Sequence, residues 1–153
     1  MRIVIFCVCS ILICACSDNT LYDHTIEFDN SIWKYETPAN FEFDIADNAK
    51  RYDLFLDIDH SPEYAFENLY LRINTEFPDK STASDTLSIE MVNNQGAWVG
   101  KCRSDICDLT VFLQENTRFK NVGNHKISIE QFTRESALNG IKSISFRLGY
   151  SGE

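Results

Sequence analysis

Cysteine is the most reactive residue type in this chain, and its six copies are unevenly placed. Four of them lie within the first 16 residues, at Cys7, Cys9, Cys14 and Cys16. The rest of the chain holds only Cys102 and Cys107. Six cysteines in a short chain can indicate a framework of several disulfides, but this distribution does not fit one. We therefore expect two separate kinds of cysteine chemistry.

The leading 16 residues have the pattern of a bacterial lipoprotein signal peptide. Arg2 supplies a positive charge, and an apolar run follows from Ile3 to Ala15. The run is shorter than the roughly 20 residues that a membrane-spanning helix needs. Its end, from Ile13 to Cys16, resembles a lipobox. We expect removal of residues 1–15 and lipidation of Cys16; the alternative is an ordinary signal peptide that contains cysteines.

A lipidated Cys16 would attach the protein to a membrane without spanning it. Each acyl methylene buried in the bilayer contributes about 0.8 kcal/mol, so several chains give stable anchoring. Ser17 follows the cysteine, where many lipoproteins kept at the inner membrane have aspartate. The expected location is the cell envelope, at the outer membrane and facing the periplasm.

Cys102 and Cys107 are close in sequence and belong to a domain that is expected to be exported. Oxidation is possible in such a compartment, so a local disulfide is the favoured interpretation, with two free thiols as the alternative. A zinc site is not predicted, because the three histidines show no ligand spacing relative to this pair.

Carboxylates offer a second possible chemistry. Asp57 and Asp59 point to the same face of a predicted strand, and Glu63 follows. Such groups could bind calcium or act as acid and base in glycoside hydrolysis. A solvated strand face of an acidic protein is the favoured interpretation. We find no nucleophile motif or phosphate loop, and predict no catalytic residue, metal site or cofactor.

Aromatic side chains offer a third possibility. Trp33, Tyr64 and Trp98 could stack on sugars if they were exposed together. This supports an alternative function as a surface carbohydrate-binding lipoprotein. For the tryptophans, burial in the core is the favoured interpretation.

The charge balance bears on the partners. The chain has 23 Asp and Glu against 14 Lys and Arg, a net charge of -9. Nucleic acid is excluded as a partner, because phosphate contacts need clustered basic residues. The same balance argues against electrostatic docking on an anionic lipid surface.

Apolar residues alternate with polar ones in seven runs after the leader, which predicts half-buried antiparallel strands. The runs are 41–45, 52–59, 69–73, 87–91, 109–113, 127–129 and 144–150. Hairpin turns are predicted at 93–96, 121–124 and 139–140. The expected fold is all-β: a two-sheet antiparallel β-sandwich of jelly-roll type with eight or nine strands. Residues 16–21 are expected to form a lipidated tether and residues 22–153 the sandwich domain.

Three blocks of sequence, in order, resemble one known family. They are the blocks from Asp59 to Leu71, from Asn94 to Lys101, and from Gly123 to Gln131 with Leu138 to Ile141. With the lipobox and the spacing of Phe28 and Trp33, they make the chain similar to the gliding motility lipoprotein GldH family. Asp59 and Thr133 depart from that family's usual arginine and methionine, and the Cys102–Cys107 pair is not a family feature.

The resemblance implies a non-enzymatic envelope lipoprotein that works with other envelope proteins of the gliding and secretion machinery. Within the resembling blocks, Tyr64, Asn68 and Trp98 are the candidate binding residues.

Overall fold

The computed structural model describes residues 19–152, and these residues form an all-β structure. The strands are β1 (Thr20–Glu27), β2 (Ile32–Lys34), β3 (Ala39–Ile45), β4 (Tyr52–His60), β5 (Asn68–Glu76), β6 (Thr82–Glu90), β7 (Lys101–Arg103), β8 (Ile106–Thr117), β9 (Gly123–Gln131), β10 (Ala137–Asn139) and β11 (Ile141–Tyr150). A single 3-10 turn, Asp29–Ser31, separates β1 from β2. Cys16 and the leader lie outside the described residues.

Two antiparallel sheets carry the fold, as the alternation predicted. One has five strands in the order β1-β11-β4-β8-β7, and the other has four in the order β3-β9-β5-β6. Strands β2 and β10 form a small separate ribbon. Within the part of the chain that the structure describes there are eleven strands, because β1, β2, β7 and β10 add to the seven predicted runs.

The apolar faces of the two sheets pack on each other. Along β3 and β4 every second residue is buried, from Ala39 to Ile45 and from Tyr52 to His60. Phe43 of the four-stranded sheet and Phe146 of the five-stranded sheet stack with ring centroids 5.3 Å apart. Side chains of both sheets therefore fill one core between the layers.

Some predicted boundaries differ from the structure. β1 begins at Thr20, so Thr20 and Leu21 belong to a sheet and not to the expected tether. The turn at 93–96 closes a hairpin, with Val92 bridged to Trp98. The prediction of a hairpin turn at 121–124 was wrong. This segment instead carries the chain from the five-stranded sheet to the four-stranded sheet. The turn at 139–140 joins the ribbon to β11 instead of closing a hairpin.

Candidate functional site

The blocks from Asp59 to Leu71 and from Asn94 to Lys101 meet the segment from Leu138 to Ile141 at one end of the sandwich, which we call the motif end. It contains the ends of β1 and β4, the start of β11, the ribbon and the hairpin around Trp98. The backbone N–H of Ser61 donates to Gly140 O (2.8 Å), and the N–H of Gly140 donates to Ser31 O (2.8 Å). Residues far apart in sequence are thus held together by backbone hydrogen bonds.

Gly140 shows why the contact between these segments depends on residue type. Its φ is +94°, a conformation that favours glycine. A Cβ atom at this position would lie 3.2 Å from the Tyr64 Cα. The close approach of the two segments therefore requires the absence of a side chain.

Two of the three candidate binding residues contact each other beneath the surface. The Tyr64 and Trp98 ring centroids are 6.4 Å apart. Tyr64 is only 4% exposed, and its hydroxyl lies 3.4 Å from Asn68 O. Asn68 contributes its backbone to this group, whereas Trp98 is half-buried. The cluster stabilises the motif end, and its rings are not available as an open stacking platform.

His60 lies at the centre of the cluster, a position that sequence reasoning did not predict. Its ring is fully buried, 4.6 Å from the Trp98 ring and 5.9 Å from the Tyr64 ring. Nδ1 is 2.8 Å from Ser61 O and donates to that carbonyl, while Nε2 has no hydrogen-bond partner among the described residues. Burial lowers the pKa of the imidazole below its usual value.

We expect the stability of the protein to fall in acid through His60. The folded state takes up a proton on this ring less readily than the unfolded state, so stability is lost as the pH falls below about 6.5. Replacing His60 with phenylalanine keeps a ring in place and removes the titration. Urea unfolding at about pH 7.5 and about pH 5 should show a smaller loss of stability in the variant than in the wild type.

The matched control is His24→Phe, since His24 is exposed on β1. This change should leave the acid destabilisation in place. An unchanged pH dependence in His60→Phe would contradict the assignment.

The candidate carboxylates are engaged in structural contacts. Asp57 forms an ion pair with Arg147, whose Nη2 is 3.1 Å from Asp57 Oδ1, and it also accepts a hydrogen bond from Thr110. The hydrogen bond that Arg147 donates to Asp57 raises the pKa of Arg147. Asp59 accepts a hydrogen bond from Ser143 (3.1 Å), and Glu63 is exposed. Their contacts give no sign of an acid–base pair in a cleft.

Residues 19–152 contain no arrangement of side chains that would bind a metal ion. No three His, Cys, Asp or Glu side chains come close enough there to hold an ion. Cys102 and Cys107 are directly opposite each other on β7 and β8, and the structure joins them in a disulfide. The bond closes the hairpin whose turn places Asp105 3.0 Å from Lys142 Nζ.

A concavity of about 670 Å³ lies beside this hairpin at the motif end. Ser31, Ser104 and Gly140 line it, and all three have positive φ angles of 57°, 55° and 94°. Backbone in this region is costly for residues other than glycine and tends to occur at functional positions. We take the motif end as the candidate functional site.

Comparison with known proteins decides the family. The GldH lipoprotein family model matches residues 20–148. The chain belongs to the GldH lipoprotein family. A protein named gliding motility lipoprotein GldH homolog, from Christiangramia forsetii, is 31% identical over 95% of this chain and 93% of its own length. The gliding motility lipoprotein GldH of Flavobacterium johnsoniae is 31% identical over 91% of this chain and 90% of its own.

Solved structures add nothing to the GldH assignment. An uncharacterized protein of Listeria monocytogenes, solved with glucose, magnesium and calcium, aligns over 72% of this chain and 8% of its own. The identity is 15% and the TM-score 0.32, which is too low to bear on fold or ligand. In the described part of this GldH chain, no helix is long and apolar enough to cross a membrane.

Proposed function

We propose that this GldH family member is a non-enzymatic component or assembly factor of the gliding and secretion apparatus. It is held by lipid on Cys16 at the outer membrane and faces the periplasm. The observation that carries the proposal is the family match over residues 20–148, to lipoproteins named for gliding motility. The lipobox ending at Cys16 supports the anchor.

The motif end is the surface that we propose contacts other envelope proteins. Phe66 and Val99 are exposed there, 42% and 51%, next to the buried Tyr64 and the half-buried Trp98. The exposed acids Glu63 and Glu67 are neighbours of Phe66 in the chain. An apolar contact flanked by carboxylates favours a partner with a basic surface.

Carbohydrate binding by Trp33, Tyr64 and Trp98 is not supported. Trp33 is fully buried and Tyr64 nearly so, which leaves only the half-buried Trp98. The three rings offer no exposed line on which a sugar chain could stack.

Deletion of the gene tests the proposal. The deletion strain should lose colony spreading on agar or export of surface proteins, and the wild-type gene on a plasmid should restore it. A gene carrying Asp59→Asn should also restore it, because this carboxylate is not part of the proposed partner surface and no catalytic role is proposed for it. Normal spreading and export in the deletion strain would refute the motility role, whereas failure of the Asp59→Asn variant despite normal protein levels would favour an enzyme.

A further inference from the structure

The position of β1 determines which end of the domain lies near a lipid on Cys16. Thr20 is four residues after Cys16, a separation of at most about 14 Å even in a fully extended chain. The N–H of Tyr150 donates to Asn19 O (3.0 Å), so this end contains the start of β1 and the end of β11. We call it the amino-terminal end. The motif end lies at the other end of β1, about 26 Å away, because a strand of eight residues rises about 3.3 Å per residue.

Four basic residues gather at the amino-terminal end. Lys50 and Arg51 lie in the loop between β3 and β4, and Arg118 and Lys120 lie between β8 and β9. All four are exposed, and none of them takes part in an ion pair with any residue between 19 and 152. No carboxylate of the described residues therefore neutralises these charges by direct contact, and they can attract an external anion.

Hydrogen bonds fix the two loops against each other. Asn48 Nδ2 donates to Lys120 O (3.1 Å), and Arg51 Nη1 donates to Asn116 O (2.9 Å). Lys50, Arg51 and Arg118 line a concavity of about 700 Å³ between them. Tyr150 lines it as well, with Lys50 Nζ 4.1 Å from its ring centroid. Tyrosine, with its apolar ring and polar tip, is suited to a membrane interface.

Most carboxylates at this end accept hydrogen bonds from uncharged donors. Asp47 accepts from the N–H of Ala49 (2.9 Å), and Asp53 accepts from the N–H of Asn116 (2.7 Å). Asp79 accepts from Ser81 and Asn121, and Glu115 is exposed on β8. Asp79 also interacts electrostatically with Lys120, but none of these carboxylates lies within ion-pair distance of the four cations.

We propose that the amino-terminal end rests on anionic phospholipid headgroups, whose phosphates bind Lys50, Arg51, Arg118 and Lys120. The inference rests on the lipid anchor of the proposed function. Each basic residue near an anionic surface strengthens adsorption about fivefold. The net charge of -9 had argued against such docking. However, the Debye length is only about 8 Å in physiological salt, so acids at the motif end are screened from the membrane.

Lysine footprinting of the full lipidated protein tests this orientation. The protein is reconstituted into vesicles of phosphatidylcholine, alone or mixed equally with phosphatidylglycerol, and acetylated with an amine-reactive reagent. Lys34 and Lys101 are internal controls, since both are exposed, lie near the motif end and form no ion pair within residues 19–152. In the mixed vesicles we expect Lys50 and Lys120 to react several-fold more slowly relative to these controls, and high salt to abolish the difference.

Variants that each remove positive charge give a second test of the proposed orientation. The double variant Arg51→Gln with Arg118→Gln keeps both reporter lysines and should lose most of their protection, because two cations contribute about 25-fold to adsorption. Arg134→Gln removes an exposed cation just beyond β9 at the motif end and should leave the protection unchanged.

Several outcomes would overturn the inference. They are equal reactivity of all four lysines, equal protection of Lys50 and Lys120 in pure phosphatidylcholine, or equal protection by inorganic phosphate in detergent, which would indicate a free-anion site. If Cys16 carries no acyl chain, the anchor and this inference fail together. If the protein is acylated and membrane-bound but the lysines react equally, this inference alone fails.

Discussion

Replacement of Trp33 by alanine is expected to lower the free energy of unfolding by about 3–5 kcal/mol. The indole is fully buried and stacks on Phe28 with ring centroids 4.7 Å apart. Its Nε1–H donates to Thr37 O (2.9 Å), and its backbone pairs with Leu138 in the ribbon. The variant leaves a cavity where β1, the ribbon and β11 meet. Since small domains have about 5–15 kcal/mol of stability in total, urea unfolding should register the loss clearly.

Tyr70→Ala is the control for this loss. Tyr70 is also a large aromatic residue in the domain, but it is 47% exposed on β5. Its removal should change the free energy of unfolding by about 1 kcal/mol or less. Equal effects of the two substitutions would mean that the Phe28–Trp33 stack does not hold the motif end together.

Replacement of Cys16 by serine is expected to abolish lipid attachment. A serine hydroxyl cannot take the place of the thiol that the lipobox presents, so the chain should keep residues 1–15 and gain no acyl groups. Growth with an alkyne-labelled fatty acid, followed by coupling to a fluorophore, reports acylation directly. Without the anchor we also expect loss of the protein from the outer-membrane fraction, and loss of colony spreading with it.

Cys14→Ser is the matched control, since Cys14 lies two residues earlier in the same leader. This variant should be labelled like the wild type, because position 14 is not the attachment point. Fatty-acid labelling that persists in Cys16→Ser would place the lipid elsewhere, and labelling lost in both variants would point to failed export of the chain.

The core of the fold was predictable because each main strand has one face towards the core and one face towards solvent. The alternation from Phe41 to Ile45 and from Ile144 to Tyr150 matches β3 and β11. β1 was missed because it lies at a sheet edge and is mostly exposed, with only Tyr22 and Ile26 half-buried. A strand that buries so little leaves no alternation to read.

The candidate site was only partly predictable. Tyr64, Asn68 and Trp98 were chosen from their sequence blocks. The structure places Tyr64 and Trp98 against His60, with the Asn68 backbone carbonyl beside the Tyr64 hydroxyl. Core burial was the favoured interpretation for the tryptophans, but the packing around His60 could not be foreseen, because it depends on how the hairpin folds over β4. The basic amino-terminal end was hidden for a different reason. Its cations come from two loops that are far apart in the chain. The net charge of the whole chain adds them to acidic residues elsewhere on the surface, so it does not reveal a local basic patch.

The direction of the strands has a mechanical consequence. A membrane anchor at the amino-terminal end and a partner at the motif end would pull on the domain along the axis of β1. Its hydrogen bonds to β11 run perpendicular to that axis, from Thr20 opposite Gly149 to Glu27 opposite Ser143. Tension would therefore load these bonds together in shear instead of opening them one at a time, so this architecture is suited to transmitting force between a moving partner and the lipid bilayer.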